Sequence, residues 1–351
     1  MLRSFGVRQL PVVYRLWGRG LSIDMQAGLP GGAVPFWPAL VAMLPGLSPL
    51  GETLFVLEDE GAEAFIQVRH RPERPEADLV YIAPALRRAP EAAEAWDALL
   101  TGTCLALGRQ GVERVYACLP ESGPEVESFQ KAGFILYTRE EIYRLDGDAE
   151  GAPGPADVPL RARAPEHDWG LDRLYSELVP WLVQQAEGGL GFNGFGSGVA
   201  RPAGAAEYVL LEGGEVAGLV QLRPVSGAYG MTVVLHPRAY HWARAVVAFG
   251  LGRLRSLPPR PVYCTVRHYQ GGLRTPLEES GFRWVGTRAL LVRHTVARAR
   301  AAQERRAEGK ETQPEAAIPT ALGFSGADLA HPPGPFPLRK TEGGAAPGGA
   351  G

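Results

Sequence analysis

One order of segments occurs twice in this chain. From Val115 to Leu145 the sequence VYACLPESGPEVESFQKAGFILYTREEIYRL reads as an apolar strand, a proline-bearing loop, a short helix, a Gly-Phe pair and a closing strand. From Val262 to Arg293, VYCTVRHYQGGLRTPLEESGFRWVGTRALLVR repeats that order, and the interval from strand start to Gly-Phe differs by a single residue. Upstream, FVLEDEGAEAFIQVR (Phe55–Arg69) and YVLLEGGEVAGLVQLR (Tyr208–Arg223) are each two strands around an acidic, glycine-bearing turn. The repeat is roughly 150 residues long, the size of one domain. The architecture is thereby constrained to two copies of one module.

Periodicity orders each copy. The first has a strand or helix at Leu10–Leu16, a short helix at Phe36–Leu44, a hairpin from Thr53–Leu57 and Glu63–Arg69, and a strand at Asp78–Ala83. Pro90–Arg109 follows as an amphipathic helix, with Trp96, Leu99, Leu100, Thr103 and Leu107 on one stripe. The second has Leu160–Ala164, a helix at Trp169–Ala186 that Pro180 should bend or break, strands at Glu207–Leu211, Val216–Leu222 and Gly230–Leu235, and a helix at Tyr240–Leu257. The Gly/Pro-rich stretch around Gly151 reads as a linker, and beyond Val296 the composition turns Ala/Arg/Glu-rich and then Pro/Gly-rich. The expected domains are 1–146 and 159–295, joined by 147–158, with a disordered tail at 296–351. Each is α/β of the α+β type, a mixed, mostly antiparallel sheet flanked by helices.

Charge and cysteine content narrow the function. A formal charge of −2 on 351 residues gives no electrostatic case for a nucleic acid or an anionic membrane. Cys104, Cys118 and Cys264 are an odd number without metal-ligand spacing, so they read as small buried apolar residues rather than a zinc site or disulfide framework. No apolar run is long enough to span a bilayer or to serve as a signal peptide, which leads to the expectation of a cytoplasmic protein.

The order of segments, with a helix after the fourth strand and Gly-Phe before the last, resembles the GNAT (GCN5-related N-acetyltransferase) superfamily in tandem. The resemblance implies acyl transfer from acetyl-CoA to a small-molecule amine. It also implies a glycine loop after the fourth strand whose N–H groups hold the diphosphate, and a tyrosine five residues before the Phe of Gly-Phe that protonates the departing thiolate. Both marks are altered here. The first copy has IAPALRRAPEAAEAW in the loop position, where Pro90, Glu91 and Glu94 stand against an anion. The second has VVLHPRAYHWARAVVAF, without glycine but with Arg238 and His241 as candidate phosphate ligands. The tyrosine positions hold Phe129 and Leu277. Tyr269, or His268 at the end of its strand, is the candidate substitute acid, with Tyr269 taken as the site residue, and Val234 and Leu235 are expected to offer backbone contacts to the donor. The fourth strand offers a base only in the first copy, where Asp78 begins it. Activity is expected in the second copy; the alternative is a catalytically inactive protein of the same fold that binds a ligand or partner.

One further motif, GLGFNG at Gly189–Gly194, matches G-x-G-x-x-G but follows a helix and leads to a strand, the reverse of a dinucleotide site. It reads as a loop, with Phe192, Asn193 and Phe195 as a candidate lid.

Overall fold

The computed structural model describes residues 2–24, 52–59, 62–72, 74–147, 158–188, 204–225 and 227–295. The helix expected at Phe36–Leu44, the lid residues, most of the linker and the tail lie outside the described residues.

The first half runs β1 (Leu2–Ser4), α1 (Leu10–Leu16), β2 (Leu21–Ser22), β3 (Glu52–Asp59), β4 (Ala62–His70), β5 (Glu76–Ala83), α2 (Ala93–Arg109), β6 (Arg114–Pro120), α3 (Pro124–Lys131) and β7 (Ile135–Leu145). The second runs β8 (Leu160–Ala162), α4 (Asp168–Leu178), α5 (Trp181–Ala186), β9 (Ala206–Glu212), β10 (Glu215–Val225), β11 (Ala228–Leu235), α6 (Ala243–Leu254), β12 (Val262–Arg267), α7 (Arg274–Glu279) and β13 (Arg283–His294). Leu10–Leu16 is a helix because Pro11 sits in its first turn and Val12, Val13 and Leu16 fall on one buried side. Pro180 separates α4 from α5.

The two Gly-Phe pairs share one mechanical role. Gly133 (φ 82°) and Gly281 (φ 89°) take the left-handed conformation that ends α3 and α7. Phe134 N–H then reaches back to Phe129 O at 3.0 Å, and Phe282 N–H to Leu277 O at 3.1 Å. This is the six-to-one bond of a glycine-stopped helix, with its apolar contact in place, since the Phe129 and Phe134 rings lie 4.9 Å apart. Phe129 and Leu277 are fully buried as the inner partners of that contact.

All the described strands join in one sheet, ordered β1-β3-β4-β5-β6-β13-β7-β12-β11-β10-β9-β8, with β2 attached to β5. Every ladder is antiparallel except β5–β6 and β11–β12. The closing strands have changed places. β7, from the first half, pairs with β12 of the second (Arg267↔Glu140, Val262↔Leu145), while β13 pairs with β6 of the first (Leu119↔Ala289, Arg114↔His294). β7 and β13 then pair with each other and weld the halves. The segments 1–146 and 159–295 therefore do not form two separate sheets. Each half borrows the other's last strand, and the strands lie within one compact unit. The physical reason is that β6 and β12 each need an antiparallel neighbour, and the exchanged strand supplies the missing ladder bonds.

Helices cover both faces. Trp96, Leu99, Leu100 and Leu107 of α2 pack with Ile66, Leu79 and Val115; Val246, Val247 and Leu251 of α6 pack with Val220, Met231 and Val262. On the other face, α1 packs over Leu54, Val56 and Phe65, and α4–α5 pack over Val209, Leu219 and Val234.

Candidate active site

The parallel pairs give each half a place where the sheet opens. β5 and β6 keep register only from Glu76↔Arg114 to Asp78↔Tyr116, and β11 and β12 only from Tyr229↔Val262 to Thr232↔Thr265. Beyond those pairs the strands part, leaving main-chain groups without a ladder partner on the inner side of each fork.

In the first half the fork is filled by the chain itself. β2 pairs with β5 (Leu21↔Ile82, Ser22↔Tyr81), Ile23 N–H donates to Val80 O at 2.9 Å, and Cys118 N–H of β6 donates to Ile23 O at 3.1 Å. Ile23 is fully buried among Leu79, Ile82 and Leu119. Gly20 makes the entry: a Cβ there would lie 2.4 Å from Ile82 O. Asp24 follows, almost fully buried, with Arg69 Nη1 at 2.8 Å. Asp78 is bound by Arg71 Nη2 at 2.6 Å and Nε at 3.0 Å. Burial nonetheless raises its carboxyl, against the pull of Arg71. Nothing in the sequence marked Leu21–Asp24 as a strand, because two ladder residues are too few for a period; the glycines at 18 and 20 were the only signal.

In the second half no strand among the described residues enters the fork. Leu235 N–H instead donates to Gln270 Oε1 at 3.0 Å. Gln270 sits in the turn from His268 to Leu273 with a non-helical backbone (φ −107°, ψ 26°), is 2% exposed, and its Nε2 is buried without a hydrogen-bond partner. Farther out, the Tyr240 ring closes on Gly272, where a Cβ would lie 2.5 Å from the ring.

Of the residues singled out from the sequence, Val234, Leu235 and Tyr269 meet at this fork. The Val234 side chain packs against Leu171, Leu174 and Tyr175, with Tyr269 beside them. Burial raises the Tyr269 phenol well above its ordinary value, with Arg267 opposing and Glu187 and Glu140 reinforcing the rise. Arg238 and His241 are turned elsewhere, toward the β9–β10 hairpin. Arg238 Nη2 lies 3.0 Å from Glu215 Oε2 and His241 Nε2 lies 3.2 Å from Glu212 Oε1.

A buried polar cluster adjoins the fork and was not visible in the sequence. Glu187, at the end of α5, accepts from Tyr175 OH at 3.2 Å and lies 3.3 Å from Arg267 Nη2. Glu140 lies between Arg288 (2.6 Å) and Arg267 (3.7 Å). Burial raises both carboxyls. At Glu140 the two guanidinium groups outweigh it and the net direction is down; at Glu187 burial prevails over Arg267 and the net direction is up. The Tyr137 hydroxyl and Arg267 Nη1 are buried here without hydrogen-bond partners. The pattern escaped sequence reading because Glu140, Arg267 and Arg288 become neighbours only through the strand exchange.

The order of strands and helices in each half, with a forked parallel pair ahead of a glycine-stopped helix, meets the expectation raised by the sequence. That order is the one implied by the resemblance to the GCN5-related acetyltransferases. No protein-family model matches the chain, and no curated protein matches it. Among solved structures, it is similar to a GCN5-related N-acetyltransferase from Sphaerobacter thermophilus (15% identity, 84% of this chain and 95% of that chain, TM-score 0.49). It is also similar to a tandem GNAT protein from the clavulanic acid biosynthesis pathway (15% identity, 84% and 98%, TM-score 0.47). A third is an acetyltransferase of the GNAT family from Colwellia psychrerythraea (10% identity, 84% and 100%, TM-score 0.40). No described helix of this chain is long and apolar enough to cross a membrane.

Proposed function

We propose that the second half is the working one. It passes an acyl group from a thioester donor, acetyl-CoA in the expectation drawn from the resemblance, to a small-molecule amine in the cytoplasm. The observation that carries this reading is the asymmetry of the two forks. The first is closed by a main-chain strand with Ile23 at its centre. Among the described residues the second is closed by one side chain, Gln270, through one hydrogen bond. A single neutral hydrogen bond contributes about 1 kcal/mol net, whereas a buried amide left unpaired costs about 1–3 kcal/mol. Gln270 has both, so its place in the fork is cheap to vacate.

The residues present fit the thioester end of such a donor. Leu235 N–H is a fixed donor aimed into the fork, suited to a carbonyl that gains negative charge during attack. Val234 and Tyr175 shield that position from water on the helical face. Tyr269, a protonated phenol packed beside Val234, is the candidate proton donor. The donor group itself supplies the activated acyl carbon and a thiol leaving group.

Calorimetry with acetyl-CoA tests the reading. Saturable binding is expected, tightened several-fold by Gln270→Ala, in keeping with about 1 kcal/mol of displaced hydrogen bond. A second reading, a non-catalytic protein of this fold, is favoured by the closure of Tyr240 on Gly272 and by Leu277 in the tyrosine position. Absence of binding by both wild type and Gln270→Ala, with unchanged thermal melts, selects it.

A further inference from the structure

The segment that follows β11 is where a nucleotide diphosphate would need support, and its resources are already committed. Its first amides are capped from within: Arg238 N–H donates to His236 Nδ1 at 3.3 Å and Ala239 N–H to His236 O at 2.8 Å. Its polar side chains are held by the β9–β10 hairpin, Arg238 by Glu215 and His241 by Glu212, with Arg173 Nη1 also on Glu215 at 2.9 Å. Arg244, one turn farther, lies 3.5 Å from Glu279. A diphosphate brought here would have to displace Glu212, Glu215 and Glu279 from these partners, and like charge opposes its approach to the three carboxylates. The Tyr240 ring against Gly272 narrows the path from the fork to the same place. Amide donors, side-chain pairing and access therefore agree, and all three contrast with the fork itself, where Leu235 N–H, freed of Gln270, suits an arm built of amides and a thioester.

We infer that the second fork recognises its donor by the acylated pantetheine arm alone, so that the substrate class is an acyl-pantetheine thioester, with no contribution from a nucleotide diphosphate. The inference rests on the acyltransfer reading above and narrows its donor. The glutamates of the β9–β10 hairpin are then specificity-determining residues, because they take Arg238 and His241 away from phosphate.

The test compares S-acetyl-pantetheine with acetyl-CoA as calorimetric ligands for the full chain at low and high salt. The expected result is affinities within about threefold of each other and no loss with salt, since no phosphate contact is made. Acetyl-CoA binding more than about tenfold tighter, with affinity falling as salt rises, overturns the inference and leaves the acyltransfer reading standing. Binding of neither ligand overturns both. A Glu212→Gln, Glu215→Gln double variant releases Arg238 and His241, and it is expected to shift preference toward acetyl-CoA by about tenfold, in a salt-dependent manner. An unchanged ratio in that variant removes the assigned role of the two glutamates. Both glutamates are partly exposed, so a thermal melt matching the wild type accompanies the comparison.

Discussion

Phe129 and Leu277 occupy the positions where the resemblance would place a proton-donating phenol, and each is instead the fully buried anchor of a helix stop. A tyrosine there would need room for its hydroxyl and a partner for it. The loss of that phenol and the tight Gly-Phe closure are one packing choice. Glu140 presents the converse case, a charge kept inside the sheet. Its carboxyl sits beside Arg288 and Arg267, so Glu140→Gln leaves two guanidinium groups undercompensated and is expected to cost about 3–5 kcal/mol in urea unfolding. The pH dependence follows from the sign of its shift. With the folded value held below the ordinary 4.5, Glu140 contributes stability in full above that ordinary value and loses it as pH falls through the folded value. An acid limb of stability is therefore expected in the wild type and should shrink in Glu140→Gln. Glu187 acts in the opposite sense: its raised carboxyl makes stability fall as pH rises from the ordinary value through the folded one.

At the scale of elements, β2 is an insertion that does the work of a ligand. Truncating its centre, Ile23→Ala, removes a fully buried side chain and is expected to cost about 2–5 kcal/mol by thermal or urea unfolding. It should create no acetyl-CoA binding in the first half, because the Ile23 main-chain bonds to Val80 and Cys118 remain. Trp96 offers a contrast of kind. Its indole N–H donates to Pro84 O at 2.8 Å and its ring meets Phe129 edge-on, so Trp96→Ala should cost about 3–5 kcal/mol without touching either fork's bonds. Much of this level was legible in the sequence. Strong periods placed α2, the β3–β4 and β9–β10 hairpins and the strand before each Gly-Phe, and Pro180 marked the α4–α5 break. Gln270 and β2 were not legible, for a shared reason. Each matters through a single non-local bond in a fork whose width is set by strands far away in the chain, and no local pattern encodes that. Arg238 and His241 looked like anion ligands from their types and spacing alone; which acidic residues the β9–β10 turn brings beside them is a tertiary fact.

For the molecule as a whole, the exchanged closing strands change what counts as a half. Sequence duplication points to two modules, yet identical strand preferences suit β7 to either β6 or β12, so the sequence pattern is silent on which pairing forms. Expressed alone, residues 1–146 would leave β6 without its partner β13 and β7 without β12, two open edges on an apolar sheet. That fragment is expected to aggregate or to pair with itself. Co-expressed with residues 158–295, it should yield a soluble one-to-one complex on size exclusion; stable, monomeric separate fragments would contradict the exchange.

The same exchange sets a timetable for biosynthesis. The ladder that completes the first half includes Arg114↔His294, so its last strand leaves the ribosome long after the first half has emerged. At about 5–20 residues per second, the intervening chain takes roughly 10–30 s to appear. For that interval the exposed side of β6 has to wait without its neighbour. Codon usage or a chaperone that shortens or shelters the wait would therefore govern yield more strongly than any substitution at the forks, a dependence that pulse-chase recovery of soluble chain can measure.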